Sequence, residues 1–280
     1  MPKVIILGSS NAVPTLKAEN THMVVIGENR TVLVDCVSNP MVRLEQAGVD
    51  FHDLTDIIVT HFHPDHVSGL PLLLMDMWLL GRKEPINIYG LPHAIDRVET
   101  MMGLYNWSEW PNFFPVVFSR LPDSELTTVL DCSDFLIKSS PVHHMIPAIG
   151  LRFEFKNSNK ILAYSCDTEP CDEVVRLSKG ANVLIHEATG ESFGHSSARQ
   201  AGEAATKAGV GRLYLIHYLT GKFAKGNLIA EAGETFNGEV KLAKDFMVLD
   251  FDKRMPLSHF GRGTKDSNIN RHKWESTSEP

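Results

Sequence analysis

Three histidines and one aspartate fall within six consecutive positions, a spacing suited to metal chemistry. They directly follow the apolar run 55–59, which is typical of a buried strand. His61 and His63 are two residues apart, so on extended backbone their side chains point to the same side. A proline then turns the chain, and Asp65 and His66 can face the same space from the start of the next helix. Imidazole and carboxylate ligands without a thiol favour zinc, manganese or iron in a hydrolytic site.

The alternative for this segment is a polar loop that carries surface histidines. A cluster this dense at the end of a strand is of the metal-site type, so the metal interpretation is preferred. A catalytic metal pair needs more ligands than one loop supplies. Other predicted strands are followed by His143, His144, Asp167 and His217. Taken alone, Asp167 could instead cap the next helix, and a lone histidine such as His217 is usually structural.

The elements that must position these side chains are predicted from hydrophobic periodicity. The first half of the chain predicts helices at 40–47, 67–80 and 92–104 and strands at 3–7, 23–26, 31–35, 55–60 and 86–89. The second half predicts helices at 169–177, 197–208 and 228–235 and strands at 135–139, 151–155, 161–164, 183–186, 213–217 and 246–249. Because strands are followed by helices twice, we expect two sheets packed face to face with helices outside.

Composition limits the architecture and the partners. The 280 residues, 43% of them hydrophobic, suffice for one sizeable core. We predict a single domain over residues 1–251, followed by a polar, flexible tail at 252–280. The formal net charge of −7 argues against a broad basic surface for nucleic acid. It leaves open a local positive pocket, which two divalent ions would create by themselves.

Other sequence features concern the cellular compartment. The first residues predict a strand rather than a secretory signal, and the longest apolar stretch, 70–80, is too short to span a membrane. The four cysteines form no CxxC pair, which predicts reduced thiols. The sequence therefore predicts a cytoplasmic protein with no membrane partner, and it leaves a homodimer open.

The segment His61-Phe62-His63-Pro64-Asp65-His66 matches the HxHxDH signature of the metallo-β-lactamase fold superfamily. Further stretches resemble the N-terminal half of ribonuclease Z and its relatives, namely Val34-Asp35-Cys36, Leu44-Glu45-Gln46-Ala47-Gly48, Ile58-Val59-Thr60-His61 and Gly69-Leu70-Pro71. The similarity continues at intervals to about residue 223, so it covers most of the chain. The resemblance implies an α/β fold, the αββα sandwich, in which two facing mixed sheets carry helices outside.

The resemblance also implies a ligand set for two divalent metal ions. In the family pattern the ligand position falls on His144 rather than His143, and Asp167 is similar to the aspartate that bridges the metals. One metal would then take His61, His63, His144 and Asp167. The other would take Asp65, His66, His217 and the shared Asp167. Zinc is preferred, with manganese and iron as alternatives, and the nucleophile would be a hydroxide bridging the two ions. Asp65 could also orient that nucleophile or accept its proton.

Two further motifs resemble those of ribonuclease Z-like proteins, His186-Glu187-Ala188-Thr189 and Gly194-His195-Ser196-Ser197. The leaving alkoxide of a phosphodiester needs a proton, and His195, buttressed by Glu187, could supply it. The alternative for His195 is a histidine packed before a helix N-terminus, where a positive charge is disfavoured. We expect Asp35 and His22 to be structural or to orient the ligand histidines.

One departure from the family pattern concerns transfer RNA. In bacterial ribonuclease Z, the arm that grips transfer RNA lies between the ligands that correspond to His144 and Asp167. Here two predicted strands fill that interval, which leaves no room for an arm. The family's Gly-Glu-Gly-Thr run is also replaced, by residues 36–40. We therefore expect precursor transfer RNA to be a poor substrate.

These observations together predict a binuclear zinc hydrolase that cleaves a phosphodiester, either near the 3′ end of an RNA or in a small or cyclic nucleotide. One alternative keeps the fold and changes the bond, as in an arylsulfatase or a lactonase. The other alternative is a non-catalytic module that binds metal or nucleic acid. The size of the ligand set disfavours this last class, because structural zinc sites are closed and rarely binuclear.

Overall fold

The structure, a computed structural model, describes residues 3–249, and the predicted tail at 252–280 lies outside them. Within the described residues, one sheet contains six strands in sequence order. They are β1 (Lys3–Gly8), β2 (His22–Ile26), β3 (Thr31–Val34), β4 (Asp56–Ile58), β5 (Ile86–Gly90) and β6 (Val116–Arg120). The first three strands pair antiparallel, and β3 to β6 pair in parallel.

The second sheet of the described chain contains seven strands and runs from β13 at one edge to β7 at the other. They are β7 (Thr127–Asp131), β8 (Phe135–Val142), β9 (Ala148–Phe155), β10 (Lys160–Tyr164), β11 (Val183–Glu187), β12 (Arg212–Ile216) and β13 (Glu239–Leu242). Strands β7 to β10 pair antiparallel, and β10 to β13 pair in parallel. Each sheet therefore has an antiparallel half followed by a parallel half.

The helices follow the parallel strands, as a parallel connection requires. They are α1 (Pro40–Gln46), α2 (Pro64–Val67), α3 (Leu70–Leu79), α4 (Pro92–Leu104), α5 (Asp172–Leu177), α6 (Ala198–Ala208) and α7 (Leu228–Gly233). In α6, Ser197 and Gln200 form a reciprocal capping box at the N-terminus, and Gly209 ends the helix with φ of 64°. The capping box therefore fixes the point at which the loop that carries His195 ends and α6 begins.

Three buried hydrophobic clusters define four layers. The central cluster joins the inner faces of the two sheets, through residues such as Ile6, Met23 and Phe153. A second cluster packs the outer face of the first sheet against α1, α3 and α4, and a third packs the outer face of the second sheet against α6 and α7. The arrangement is helix, sheet, sheet, helix. The predicted fold class, the αββα sandwich, is confirmed.

The helix predicted at 67–80 forms as α3 but begins later, at Leu70, because a separate short helix, α2, ends at Val67 and the chain breaks between them. At the break, Gly69 lies against the segment that follows β3. A Cβ added to Gly69 would lie 2.7 Å from the carbonyl carbon of Val37. The Gly69 N–H also donates to the Cys36 carbonyl at 2.9 Å, and the Cys36 N–H donates to the His66 carbonyl at 2.9 Å. The break therefore ties the histidine-rich loop to the end of β3.

The strand predicted at 246–249 is not formed as such; in that stretch Val248 makes an isolated bridge to Ile5. Three strands were not predicted, namely β6, β7 and β13, and all three lie at sheet edges. No helix within residues 3–249 is long and apolar enough to cross a membrane.

Candidate metal centre

The predicted ligands lie where strands of both sheets end, at one edge of the sandwich. His61 follows β4, His144 follows β8, Asp167 follows β10 and His217 follows β12. Strands β10 and β12 belong to the parallel half of the second sheet, so their carboxyl ends meet at the same edge. The fold thus collects residues that are more than 150 positions apart in the sequence.

The backbone is strained at three of these strand ends. Asp35, Cys166 and His217 have positive φ values of 60°, 58° and 53°. Non-glycine residues seldom adopt this left-handed conformation, and such strain concentrates at functional sites. Backbone hydrogen bonds hold it here, since the Asp35 N–H donates to the Ile58 carbonyl at 2.9 Å and the His217 N–H donates to the Ser9 carbonyl at 3.0 Å.

A first cluster consists of His61, His63 and His144. The Nδ1 atom of His63 lies 3.1 Å from Nε2 of His61 and 3.1 Å from Nε2 of His144. Burial lowers the pKa of all three imidazoles, which favours their neutral forms. Neutral imidazole nitrogens that converge this closely repel one another unless a proton or a cation lies between them.

A second cluster consists of Asp65, His66, Asp167 and His217. The Oδ2 atom of Asp167 lies 3.5 Å from Nε2 of His66 and 3.3 Å from Nε2 of His217. The same oxygen lies 3.9 Å from Nε2 of His61, so it faces both clusters. The Oδ2 atom of Asp65 is 3.4 Å from Nε2 of His217. The position of Asp167 between the clusters is the one that a shared ligand requires.

Two observations test whether these residues fit divalent ions. Among the described residues, the buried atoms His66 Nε2 and Asp167 Oδ1 have no hydrogen-bond partner, although unpaired buried polar atoms are rare. Nitrogen and oxygen ligands around a tetrahedral zinc lie about 3.3 Å from one another, close to the spacing in both clusters. The residues fit, and a divalent-metal site at this edge follows from the fold and the donor set.

The electrostatics agree with a cation site. Although burial alone would lower the pKa of His66, the charges of Asp167 and Asp35 hold it well above its ordinary value. Burial alone would raise the pKa of Asp167, but the charges of His217 and His66 hold it well below its ordinary value. The carboxylates of this cluster therefore favour a positive charge beside them.

Contacts behind the clusters orient the rings of the predicted ligands. The Nδ1–H of His66 donates to Asp35 Oδ2 at 2.8 Å, and the Nδ1–H of His144 donates to the Gly194 carbonyl at 2.7 Å. A ligand histidine commonly donates its second nitrogen to a carboxylate or a carbonyl in this way. Asp35 therefore orients His66, as expected. His22 instead bonds the Asn20 carbonyl at 2.8 Å, and burial lowers its pKa to about 4.

His195 and Glu187 form a pair beside the clusters. The Nδ1 atom of His195 lies 3.0 Å from Glu187 Oε1, and the His195 ring stacks on His217 with centroids 5.8 Å apart. Glu187 is fully buried and also accepts backbone N–H bonds from Thr168, Ser196 and Thr189. Burial opposes the charge on His195, but the hydrogen bond and the charge of Glu187 outweigh it and raise its pKa.

The structure brings all seven predicted ligands together and leaves His143 out. The His143 side chain is 63% exposed, and its Nε2 faces Glu173 at 3.6 Å. Two contacts with ligand rings were not predicted, those of Thr60 with His61 and of Thr189 with His217. Their sequence signal is a hydroxyl residue next to a predicted ligand or two positions after Glu187, which is too common to be diagnostic. The roles of the seven residues as metal ligands stay a prediction.

Comparison with known proteins shows the family to which the chain belongs. The profile of the beta-lactamase superfamily domain matches residues 30–218, which span both clusters and the His195–Glu187 pair. The chain belongs to the beta-lactamase superfamily. Within this superfamily, it is 28% identical to ribonuclease Z of Methanothermobacter thermautotrophicus, over 89% of this chain and 97% of that one. It is 27% identical to ribonuclease Z of Pyrococcus abyssi, over 78% and 86% of the two chains.

Two solved structures are similar to this chain in fold. The short form of human tRNase Z is 26% identical, with a TM-score of 0.73. The match covers 90% of this chain and 100% of that one. The metallo-beta-lactamase fold protein YhfI from Bacillus subtilis has a TM-score of 0.75 at 22% identity, over 89% and 98% of the two chains. The predicted resemblance to the ribonuclease Z-like branch is confirmed.

Proposed function

We propose that this chain is a metal-dependent phosphodiesterase of the ribonuclease Z-like branch, with two zinc ions at the clustered ligands. The observation that carries the proposal is the placement of Asp167 Oδ2 between His61, His66 and His217, beside the His195–Glu187 pair. The relatives named ribonuclease Z support the hydrolase class and the phosphodiester bond. The donor set contains no thiol, and manganese or iron stay alternatives to zinc.

The proposed reaction adds water across a phosphodiester and releases a phosphomonoester and an alcohol. Divalent ions at the two clusters would supply positive charge against the phosphoryl oxygens and lower the pKa of bound water. Asp65, whose Oδ2 faces His217 and His66, would orient the attacking water and accept its proton. Both clusters lie at one edge of the sandwich, so the attacking group and the phosphate would meet there.

His195 would act at the other end of the breaking bond. Because Glu187 raises the pKa of His195, the imidazole can carry a proton for the leaving alkoxide. Glu187 holds the Nδ1 side of the ring, which leaves Nε2 as the donor. A ring nitrogen of His195 lies within 4.8 Å of ligand atoms of His144 and Asp167, so donor and clusters can act on one small group.

A substrate panel tests the bond that is cleaved. Bis-p-nitrophenyl phosphate should be hydrolysed with a higher kcat/KM than p-nitrophenyl sulfate, a lactone or a β-lactam, because the motifs that contain Glu187 and His195 resemble those of ribonuclease Z-like proteins. A large preference for the sulfate or the lactone would favour the alternative ester hydrolases. Metal binding without turnover of any ester would favour a non-catalytic module.

Precursor transfer RNA should be cleaved weakly compared with small phosphodiesters. The interval from His144 to Asp167 is filled by β9, β10 and short turns, without an inserted arm. Most affinity for a large polyanion comes from phosphate contacts by basic residues, and this chain has a net charge of −7. The measurement is cleavage of a 3′-extended transfer RNA in single turnover at low and moderate salt, with a variant truncated after residue 252 as the comparison. Fast cleavage at the discriminator base by both proteins would contradict this expectation.

The remaining expectations complete the proposal. We propose that residues 1–251 act as one catalytic domain on a phosphodiester substrate, small or RNA. A cytoplasmic location and a homodimer stay predictions, which fractionation and light scattering would test.

A further inference from the structure

The hydroxyl of Thr189 touches His217 twice. Its Oγ1 lies 2.9 Å from the Nδ1 atom of the His217 ring and donates to the His217 carbonyl at 2.8 Å. The Thr189 N–H also donates to Glu187 Oε2 at 2.8 Å. Thr189 therefore connects the carboxylate that holds His195 with a histidine of the second cluster.

The direction of these hydrogen bonds determines a tautomer. A hydroxyl has a single hydrogen to donate, and a backbone carbonyl can only accept. Because the Thr189 hydrogen goes to the His217 carbonyl, the Thr189 oxygen can only accept from the ring. Nδ1 of His217 must then carry a proton, which leaves the lone pair of the neutral ring on Nε2. That atom faces Asp65 Oδ2 at 3.4 Å and Asp167 Oδ2 at 3.3 Å.

The opposite tautomer would be favoured by the carboxylates themselves. A proton on Nε2 could bond directly to Asp65 or Asp167, and the protonated nitrogen could not bind a cation. The carbonyl that Thr189 holds belongs to a residue with a φ of 53°, so the same hydroxyl also supports a strained backbone. Losing the hydroxyl would remove one hydrogen bond from the ring and one from the turn that carries it.

The first cluster contains a similar arrangement. Thr60 Oγ1 donates to the Asp35 carboxylate at 2.8 and 3.0 Å and lies 3.1 Å from Nδ1 of His61. The Sγ atom of Cys166 lies 3.5 Å from the same Nδ1, so His61 has a second neighbour there. Within the described residues, Nδ1 of His217 contacts the Thr189 hydroxyl, so the tautomer of His217 depends more directly on one hydroxyl.

We propose that Thr189 is a positioning residue that fixes the metal-binding tautomer of His217 and thereby sets the affinity of the second cluster for its ion. This inference rests on the proposed two-ion site. In the described part of the chain, Thr189 contacts the second cluster and does not contact the first. Its hydroxyl should therefore affect the affinity for one ion and not for the other.

The test compares Thr189→Val, which keeps the shape and removes the hydroxyl, with Thr189→Ser, which keeps the hydroxyl. Dissociation constants of both zinc ions are measured by competition with a chelator of known affinity. Thr189→Val should weaken one ion about 10–100-fold and leave the other unchanged, as is typical when a partner behind a ligand is lost. Thr189→Ser should retain both affinities. Long-range proton–nitrogen NMR of the zinc-loaded wild type should show the Nδ1–H tautomer at His217.

Two results would overturn the inference while the proposed function stands. One is unchanged affinity for both ions in Thr189→Val, and the other is an equal loss in Thr189→Ser, which would assign the effect to the methyl group. A wild-type chain that binds fewer than two ions would contradict the proposed function, and the inference with it. These outcomes are distinguishable because the wild-type stoichiometry is measured first.

Discussion

Replacing His195 with alanine should lower kcat about 10²–10⁴-fold while metal content stays unchanged. His195 is held by Glu187 through a 3.0 Å hydrogen bond and stacks on His217, and it is not one of the seven predicted ligands. Its loss should therefore remove the proton for the leaving alkoxide without removing a predicted ligand. The loss should shrink for substrates with acidic leaving groups, which depart without a proton.

The pH profile checks the same role. A proton donor must be protonated, so wild-type kcat should fall as pH rises through the pKa of His195, and the variant should lack that descending limb. His143→Ala is the matched control, because His143 is an exposed histidine outside both clusters, and its turnover should equal that of wild type. An equal loss on good and poor leaving groups would make His195 a residue that positions substrate.

Replacing Asp167 with asparagine should cause the largest loss, reducing both metal retention and turnover to background. Its Oδ2 faces His61, His66 and His217, so one carboxylate serves both clusters. The amide keeps the size of the side chain and removes its negative charge, which leaves the converging histidines without their counter-charge.

The control for Asp167→Asn is Asp172→Asn, which changes an exposed aspartate in the first turn of α5. Elemental analysis and circular dichroism of both variants give the answer. A folded Asp167→Asn protein that retains wild-type metal content would show that Asp167 is a turn residue rather than a shared ligand.

Much of the site was predictable because its ligands follow apolar strands. His61 after β4 and His217 after β12 stand at the ends of runs that are buried on both faces, and such runs are visible in sequence. The convergence of Asp167 with these histidines was predicted only through the family resemblance, since no local pattern distinguishes a ligand aspartate from a helix cap.

The strands that were missed have a common cause. β6, β7 and β13 are edge strands that pair on one side and are only partly buried, and each spans only four or five residues, so the apolar signal of each is short. The break between α2 and α3 was missed because it depends on a close approach of Gly69 to Val37, which is a tertiary contact. The contact of Thr189 with His217 is tertiary as well.

The most direct test of metal-dependent phosphodiester hydrolysis is a metal titration of turnover. The purified protein is stripped with a chelator, then assayed on bis-p-nitrophenyl phosphate as zinc, manganese or iron is added back, with bound metal counted by elemental analysis. The proposed site predicts that turnover disappears on stripping and returns as bound metal approaches about two ions per chain. A folded protein that takes up no metal, or that hydrolyses the diester equally well without it, would contradict the proposed function.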